Sequence, residues 1–358
     1  MTQTIRILAI NPGSTSTKIA IFENEVETFR QNIEHPSSEI AKYKSVADQY
    51  ALRKEAVLSF LAANNFDSND LSAVVARGGS LPPLQGGAYR VNEAMIDRLR
   101  HRPTSEHASN VAAIIAYEIA SPVHIPAYIY DAISVDELEA IARVTGMPAI
   151  SRTSLCHTLN MRAVARKVAT AHQKEYNDLN LIVAHLGGGI TVSLHHKGKM
   201  IDIVSDDEGP FSPERAGRVH CRLLIDLCYS GKYDHQTMRK MLRGAGGLVA
   251  YLGTNSAIEV QERISKGDKE AALIYNAMAY QIAKAIGELA TVVKGQIDGI
   301  ALTGGLAYST MLTAWIGERV KFLAPVSVVP GENELESLAL GAGRVLRGEE
   351  PAHEYDLG

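Results

Sequence analysis

Two short stretches suit phosphate chemistry, one combining glycine, small hydroxyls and a cation, the other a run of three glycines. The first is Asn11-Pro12-Gly13-Ser14-Thr15-Ser16-Thr17-Lys18. Phosphate oxygens need close backbone approach, which Gly13 permits, and donors, which Asn11, Ser14 and Ser16 supply beside the charge of Lys18. The second is His185-Leu186-Gly187-Gly188-Gly189. Three glycines behind an apolar run weaken a fold unless something must approach the backbone closely. A third turn, Thr303-Gly304-Gly305, suits an adenine and ribose against bare backbone, with a following helix N-terminus facing phosphate. No GxxxxGK[ST] sequence is present, which excludes a P-loop, and no convincing GxGxxG fingerprint occurs. These residues point to a nucleotide-dependent phosphotransferase.

Other candidates are less specific by themselves. Asp131 closes the apolar run Tyr128-Ile129-Tyr130 and can hold Mg²⁺ directly or through water; capping the next segment is an equal reading. Arg77 precedes Gly78-Gly79, and Arg215 lies in Pro213-Glu214-Arg215-Ala216-Gly217. A guanidinium grips a carboxylate or phosphoryl group at two points, although most arginines are solvated surface. His107, His157 and His185 lack the spacing of a zinc site. His195-His196 adjoins a hairpin turn and is expected to be exposed. Cys156, Cys221 and Cys228 form no CxxC pair; the seven-residue interval predicts Cys221 and Cys228 as buried thiols on one helix face.

The elements that would position these residues repeat. An apolar run 6–10 leads through the first phosphate stretch into 19–22, a polar turn and 26–29; 181–184 leads through the three glycines into 191–194, a turn and 200–204. Each reads as strand, glycine-bearing turn, strand, turn, strand. Two such ribbons facing one another would hold a polyphosphate on backbone N–H groups. Helical spacing at 47–64, 92–100, 107–120, 154–172, 218–228, 236–242, 256–266, 269–294 and 334–346 alternates with strand signals, which predicts an α/β fold. With 358 residues, two domains are the default, and the repeat places their boundary near 150. The expected division is 1–150, completed by 333–358, and 151–332.

Composition narrows the function classes. The chain is 46% hydrophobic and 21% charged, ordinary for a globular protein. A net charge of -4 and a pI near 6.3 argue against general nucleic-acid binding and a polybasic membrane surface. No apolar run reaches the roughly 20 residues of a membrane helix. The chain enters a strand within a few residues, leaving no space for a signal peptide, so a cytoplasmic protein is expected.

Taken together, the chain resembles the acetate and butyrate kinase family of the actin, hexokinase and Hsp70-like ATPase superfamily. The resemblance rests on Asn11 to Lys18, Arg77-Gly78-Gly79, Glu106-His107-Ala108-Ser109-Asn110 and His185 to Gly189, with Glu208 to Arg215 and Gly246 to Thr254 in support. It implies two duplicated actin-like (ribonuclease H-like) α/β ATPase domains flanking a nucleotide cleft. By motif, Asn11, Ser14, Ser16 and Lys18 match the first phosphate loop, and His185 with Gly187, Gly188 and Gly189 the second. Gly304 and Gly305 match the adenosine turn. Asp131, Glu334 and Asn11 match groups linked to magnesium, with Glu332 competing with Glu334. Arg215 and His157 match contacts to the transferring phosphoryl group, and His107 lies near the acyl-phosphate side.

Some positions depart from acetate kinases. Val74 stands where they carry an arginine, Arg77 where they carry a histidine, and Gly188 where they carry asparagine. Ala76 replaces a usual valine and Cys156 a usual phenylalanine; if both face the acyl pocket, a longer or branched chain gains space. The resemblance therefore implies ATP-dependent phosphorylation of butyrate to butyryl phosphate and ADP, with Mg²⁺, by a homo-oligomer (dimer or higher) using apolar helices from Ser256 onward. Acetate, propionate and branched-chain acids are alternative substrates. A non-catalytic actin- or Hsp70-like nucleotide switch is the rival of another class.

Overall fold

The computed structural model describes residues 4–356. Among these run twelve strands: β1 Arg6–Pro12, β2 Ser16–Glu23, β3 Val26–Glu34, β4 Ala73–Arg77, β5 Ala88–Arg90, β6 Ala127–Tyr130, β7 Asn180–Leu186, β8 Ile190–His196, β9 Lys199–Val204, β10 Gly299–Gly304, β11 Val326–Pro330 and β12 Ala352–Glu354. They form two sheets, one in each of two compact units. The first unit holds the chain up to Asp136 and again from Asn333; the second spans Glu137–Glu332. Chain allegiance changes ahead of the position near 150 suggested by the repeat, for a local reason. Glu137 pairs with Arg162 at 2.9 Å and accepts the Met200 N–H, while Leu138 packs with Met200 and Ile203.

Both sheets carry one topology. The order β6-β4-β1-β2-β3 in the first matches β11-β10-β7-β8-β9 in the second, and β5 and β12 extend only the first. In each, the leading strand (β1 or β7) has a parallel neighbour on one side and an antiparallel hairpin partner on the other. Even the register shift in the outer hairpin recurs, at Ile21/Phe22 and at Leu194/His195. These leading strands are buried almost throughout, as their near-continuous apolar sequences require.

Helices cover the sheets. In the first unit, helices Asn110–Ala120 and Glu334–Leu346 pack on β1 and β4. In the second, helix Lys269–Ala290 buries Tyr275, Met278, Ile282 and Ile286 against Ile182, Leu186 and Val192, the helical periodicity made physical. Helix Thr158–Ala171 covers the other face, with Met161, Val164 and Val168 on Leu181 and Val183. Among the described residues no helix is long and apolar enough to cross a membrane.

Two local expectations are corrected. His195 is fully buried, bonded to Tyr176 Oη at 2.7 Å and Ser193 Oγ at 2.8 Å, because its strand position turns it inward. Burial, helped by Arg162, pushes its pKa down to about 3. Cys221 and Cys228 are exposed rather than buried, since helix Cys221–Cys228 buries none of its residues.

Candidate functional site

In the first unit the ends of β1 and β4, parallel neighbours, bring Asn11 and Arg77 to the same sheet edge. Helix Glu334–Leu346 begins there, and its first residue joins them. Glu334 Oε1 lies 2.8 Å from Arg77 Nη1, and the Asn11 side-chain amide donates to the same carboxylate. Asn11 is only 2% exposed, and its buried Oδ1 has no hydrogen-bond partner among the described residues. A buried amide oxygen left unpaired costs stability unless something else satisfies it. Beyond Asn11, the Gly13 N–H bonds Ser16 O at 2.8 Å and closes the turn, while Ser14 and Lys18 stand exposed and Ser16 half-buried.

His107 is half-buried near this cluster, with Nδ1 accepting the Ser109 N–H at 3.1 Å and 2.6 Å from Ser109 Oγ. Burial and then the Arg77 charge push its pKa down, with Glu334 opposing, so the ring is neutral near pH 7. Asp131 plays a visible structural part: its Oδ1 accepts the Gly87 N–H at 2.8 Å and its own N–H donates to Gly87 O at 3.1 Å. It holds this turn with φ +41. Oxygen donors suited to Mg²⁺ are thus the Asn11 Oδ1 and the Glu334 carboxylate, a set that fits an ion taking its other ligands from phosphate and water.

The second unit assembles its own cluster around the β7–β8 turn. His185 is 1% exposed, its Nδ1 accepts from Asn160 Nδ2 at 2.9 Å, and its Nε2 lies 3.0 Å from Glu332 Oε1. The two candidate glutamates therefore separate: Glu334 joins Asn11 and Arg77, whereas Glu332 faces His185. His157, just before helix Thr158–Ala171, stacks on His185 at 3.8 Å with planes 10° apart, and its Nδ1 lies 3.0 Å from Thr191 Oγ1.

Arg215 approaches from the loop after β9. Its guanidinium pairs with buried Asp206 and lies directly over Gly189, where even a methyl group would collide with it. Burial, then the neighbouring Arg243, pushes its pKa down to about 10, which leaves it cationic at neutral pH. Gly188 is exposed, with its carbonyl fixed by Ser212 Oγ at 2.6 Å. At the end of β10, Gly304 has φ +88 and presses on the Leu186 backbone, while Gly305 is exposed with open space around it.

The two proposed substrate positions each directly precede a site residue, Ala76 before Arg77 and Cys156 before His157. Ala76 is fully buried and belongs to the same core cluster of the first unit as Val74. Cys156 is half-buried, 3.3 Å from Thr158 Oγ1, and packs partly against two core clusters. Residue types alone had not singled out Asp206, Asn160, Thr191 or Arg53. For Arg53 a signal exists: it sits four residues before Val57 and eight before Leu61, on a stripe that a charged side chain normally avoids.

Residues 149–324, just under half of the chain, match the model of the acetokinase family. Solved structures extend the likeness to nearly the full length. Acetate kinase from Porphyromonas gingivalis superposes with a TM-score of 0.76 at 17% identity, covering 96% of this chain and 100% of its own. Propionate kinase from Francisella tularensis subsp. tularensis SCHU S4 gives 0.75 at 16%, covering 94% and 98%. Acetate kinase from Entamoeba histolytica gives 0.74 at 17%, also covering 94% and 98%. At such identities the structural likeness speaks for the fold.

Proposed function

From residues 149–324, which match the acetokinase family, on a fold shared with acetate and propionate kinases, we propose that this chain is an ATP-dependent carboxylate kinase. Butyrate is the substrate we assign, giving butyryl phosphate and ADP. The observation that carries the reading is the Arg215 guanidinium, fixed by Asp206 over the bare backbone of Gly189 and in the same unit as the His157–His185 stack.

A carboxylate is already ionised at pH 7, so it attacks without a general base. One carboxylate oxygen bonds to the γ-phosphorus as the bond to the ADP bridging oxygen breaks. The protein's task is then positioning and charge neutralisation. Arg215 offers a fixed cation with two-point geometry to phosphoryl oxygens, and His157, held by Thr191, orients a second nitrogen. Of Gly187 to Gly189, exposed Gly188 leaves its backbone open to phosphate, while the Gly187 N–H closes the turn on Gly189 O at 3.2 Å. In the first unit Ser14, Ser16 and Lys18 hold phosphate oxygens, and His107 and Arg77 serve the carboxylate side. Mg²⁺, when bound through Asn11 and Glu334, supplies further neutralisation of phosphate charge.

Acetate, propionate and branched-chain acids are the alternative substrates. One methylene is worth only about 1–3 kcal/mol in an apolar pocket. The test is hydroxamate trapping of acyl phosphate, with kcat/KM compared across acetate, propionate, butyrate and isobutyrate. Butyrate should lead. Acetate leading clearly would refute the butyrate assignment, and nucleotide binding with no trapped product for any acid would refute the kinase reading. Exposed Ile258, Leu273 and Tyr280 give the helices after Ser256 an apolar surface suited to the proposed homo-oligomer.

A further inference from the structure

Among the described residues the largest fully buried side chain is a cation, Arg53. It rises from helix Tyr50–Ala63 beneath the turn that joins β1 to β2. Nη1 donates to Ser16 O at 2.9 Å and to Thr17 Oγ1 at 3.1 Å, and Nη2 donates to Ser14 O at 3.1 Å. The remaining donations go to Gln49 Oε1, from Nε at 3.1 Å and Nη2 at 2.9 Å. Every acceptor is neutral, and among the described residues no carboxylate pairs with this guanidinium. Next to it, His35 Nε2 lies 2.8 Å from Thr17 Oγ1, and the His35 N–H donates to Thr15 O at 2.7 Å. Burial and Arg53 itself push the His35 pKa down, so His35 contributes no second charge near pH 7.

An unpaired buried charge is costly, and a neutral side chain would hold this helix on the sheet more cheaply. The arrangement is understandable if the missing anion is a ligand. Because the Ser14–Thr15 peptide is trans, its N–H points away from the carbonyl that Arg53 holds. The cation polarises that peptide and leaves positive potential on the loop side. Gln49, the one side chain that takes two of its donations, is an amide where a carboxylate would have cancelled the charge.

We propose that Arg53 is a positioning residue for phosphate binding: it braces the Asn11–Lys18 turn and lends it an uncancelled positive charge for a nucleotide's phosphates. The proposal rests on the reading of that turn as a phosphate loop. Truncating Arg53 risks unfolding, so the test perturbs Gln49. Gln49→Glu keeps the shape and the acceptor but neutralises the guanidinium; Gln49→Met removes the acceptor and leaves the charge. MgATP and adenosine affinities are measured by calorimetry on the full chain, together with the melting temperature. For Gln49→Glu we expect an equal or higher Tm, a Kd for MgATP raised about tenfold (about 1.4 kcal/mol), and adenosine binding within about twofold. For Gln49→Met we expect a lower Tm with MgATP affinity kept within about twofold. If affinity instead follows stability, weakened by Met and untouched by Glu, Arg53 is only a brace and the proposal fails. Wild-type protein that binds adenosine but not MgATP would overturn the phosphate-loop reading itself, which separates the two failures.

Discussion

Replacing Gly189 with alanine tests whether Arg215 must lie where it does. A Cβ at position 189 would stand 3.0 Å from Arg215 Nε and nearer still to the outer guanidinium atoms. Ordinary contacts need about 3.5–4.0 Å, so the guanidinium must retreat by roughly 1 Å or more. The backbone adds no penalty, because Gly189 does not have a positive φ. The obstructing group is also the mobile end of a long side chain, so stability should change by less than about 1 kcal/mol. Catalysis should respond far more strongly. A misplacement of about 1 Å in a positioning group costs on the order of 100-fold. Removing a preorganised charge contact, as in Arg215→Ala, costs about 100- to 1,000-fold. The assay is the initial rate of hydroxamate-trapped acyl phosphate at saturating ATP and acid. Gly189→Ala should approach Arg215→Ala, and the double variant should match Arg215→Ala within about twofold, since two changes acting through one contact do not add. A Gly189→Ala enzyme with kcat within threefold of wild type, or a double variant whose losses multiply, would refute the role of this contact.

Two further predictions concern stability. Gly304→Ala places a side chain at φ +88 and within 2.8 Å of Leu186 backbone atoms. Such strain costs about 1–3 kcal/mol, and at about 2–4 °C per kcal/mol a Tm loss of several degrees is expected by calorimetry; a change under 1 °C would count against the tight β7–β10 approach. Acid should also destabilise the protein through His195, whose pKa in the fold is about 3. The unfolded residue titrates near 6.5, so between those values the unfolded state binds the extra proton and stability falls as pH falls. Going from pH 7 to 5 should lose about 2 kcal/mol from this group alone, with His107 and His35 shifted in the same sense. Urea midpoints at the two pH values measure this, and the slope should lessen in His195→Gln; equal stability at pH 7 and 5 would contradict it.

What could be read from the residues in order was local or periodic. Apolar runs meeting glycine turns announced two strand–turn–strand ribbons, because backbone sterics and alternating burial act over a few residues. Those ribbons stand at β1–β3 and β7–β9, and the helix predicted at 334–346 occupies those residues. Within the glycine clusters, Gly187, Gly189 and Gly304 likewise stand where a neighbour comes close.

Partners across the chain were decided only by folding. Asn11 meets Glu334 across 323 residues, and parallel pairing of β4 with β1 puts Arg77 beside both. Sequence left Glu332 competing with Glu334 for one role, yet one faces His185 and the other Arg77. The inward turn of His195, the burial of Ala76, the exposure of Cys221 and Cys228 and the unpaired charge of Arg53 are of the same kind. A residue's type sets what it can bond to and its spacing sets which face it occupies. Which group fills the space opposite that face depends on how distant strands and helices stack, and only the tertiary structure supplies that.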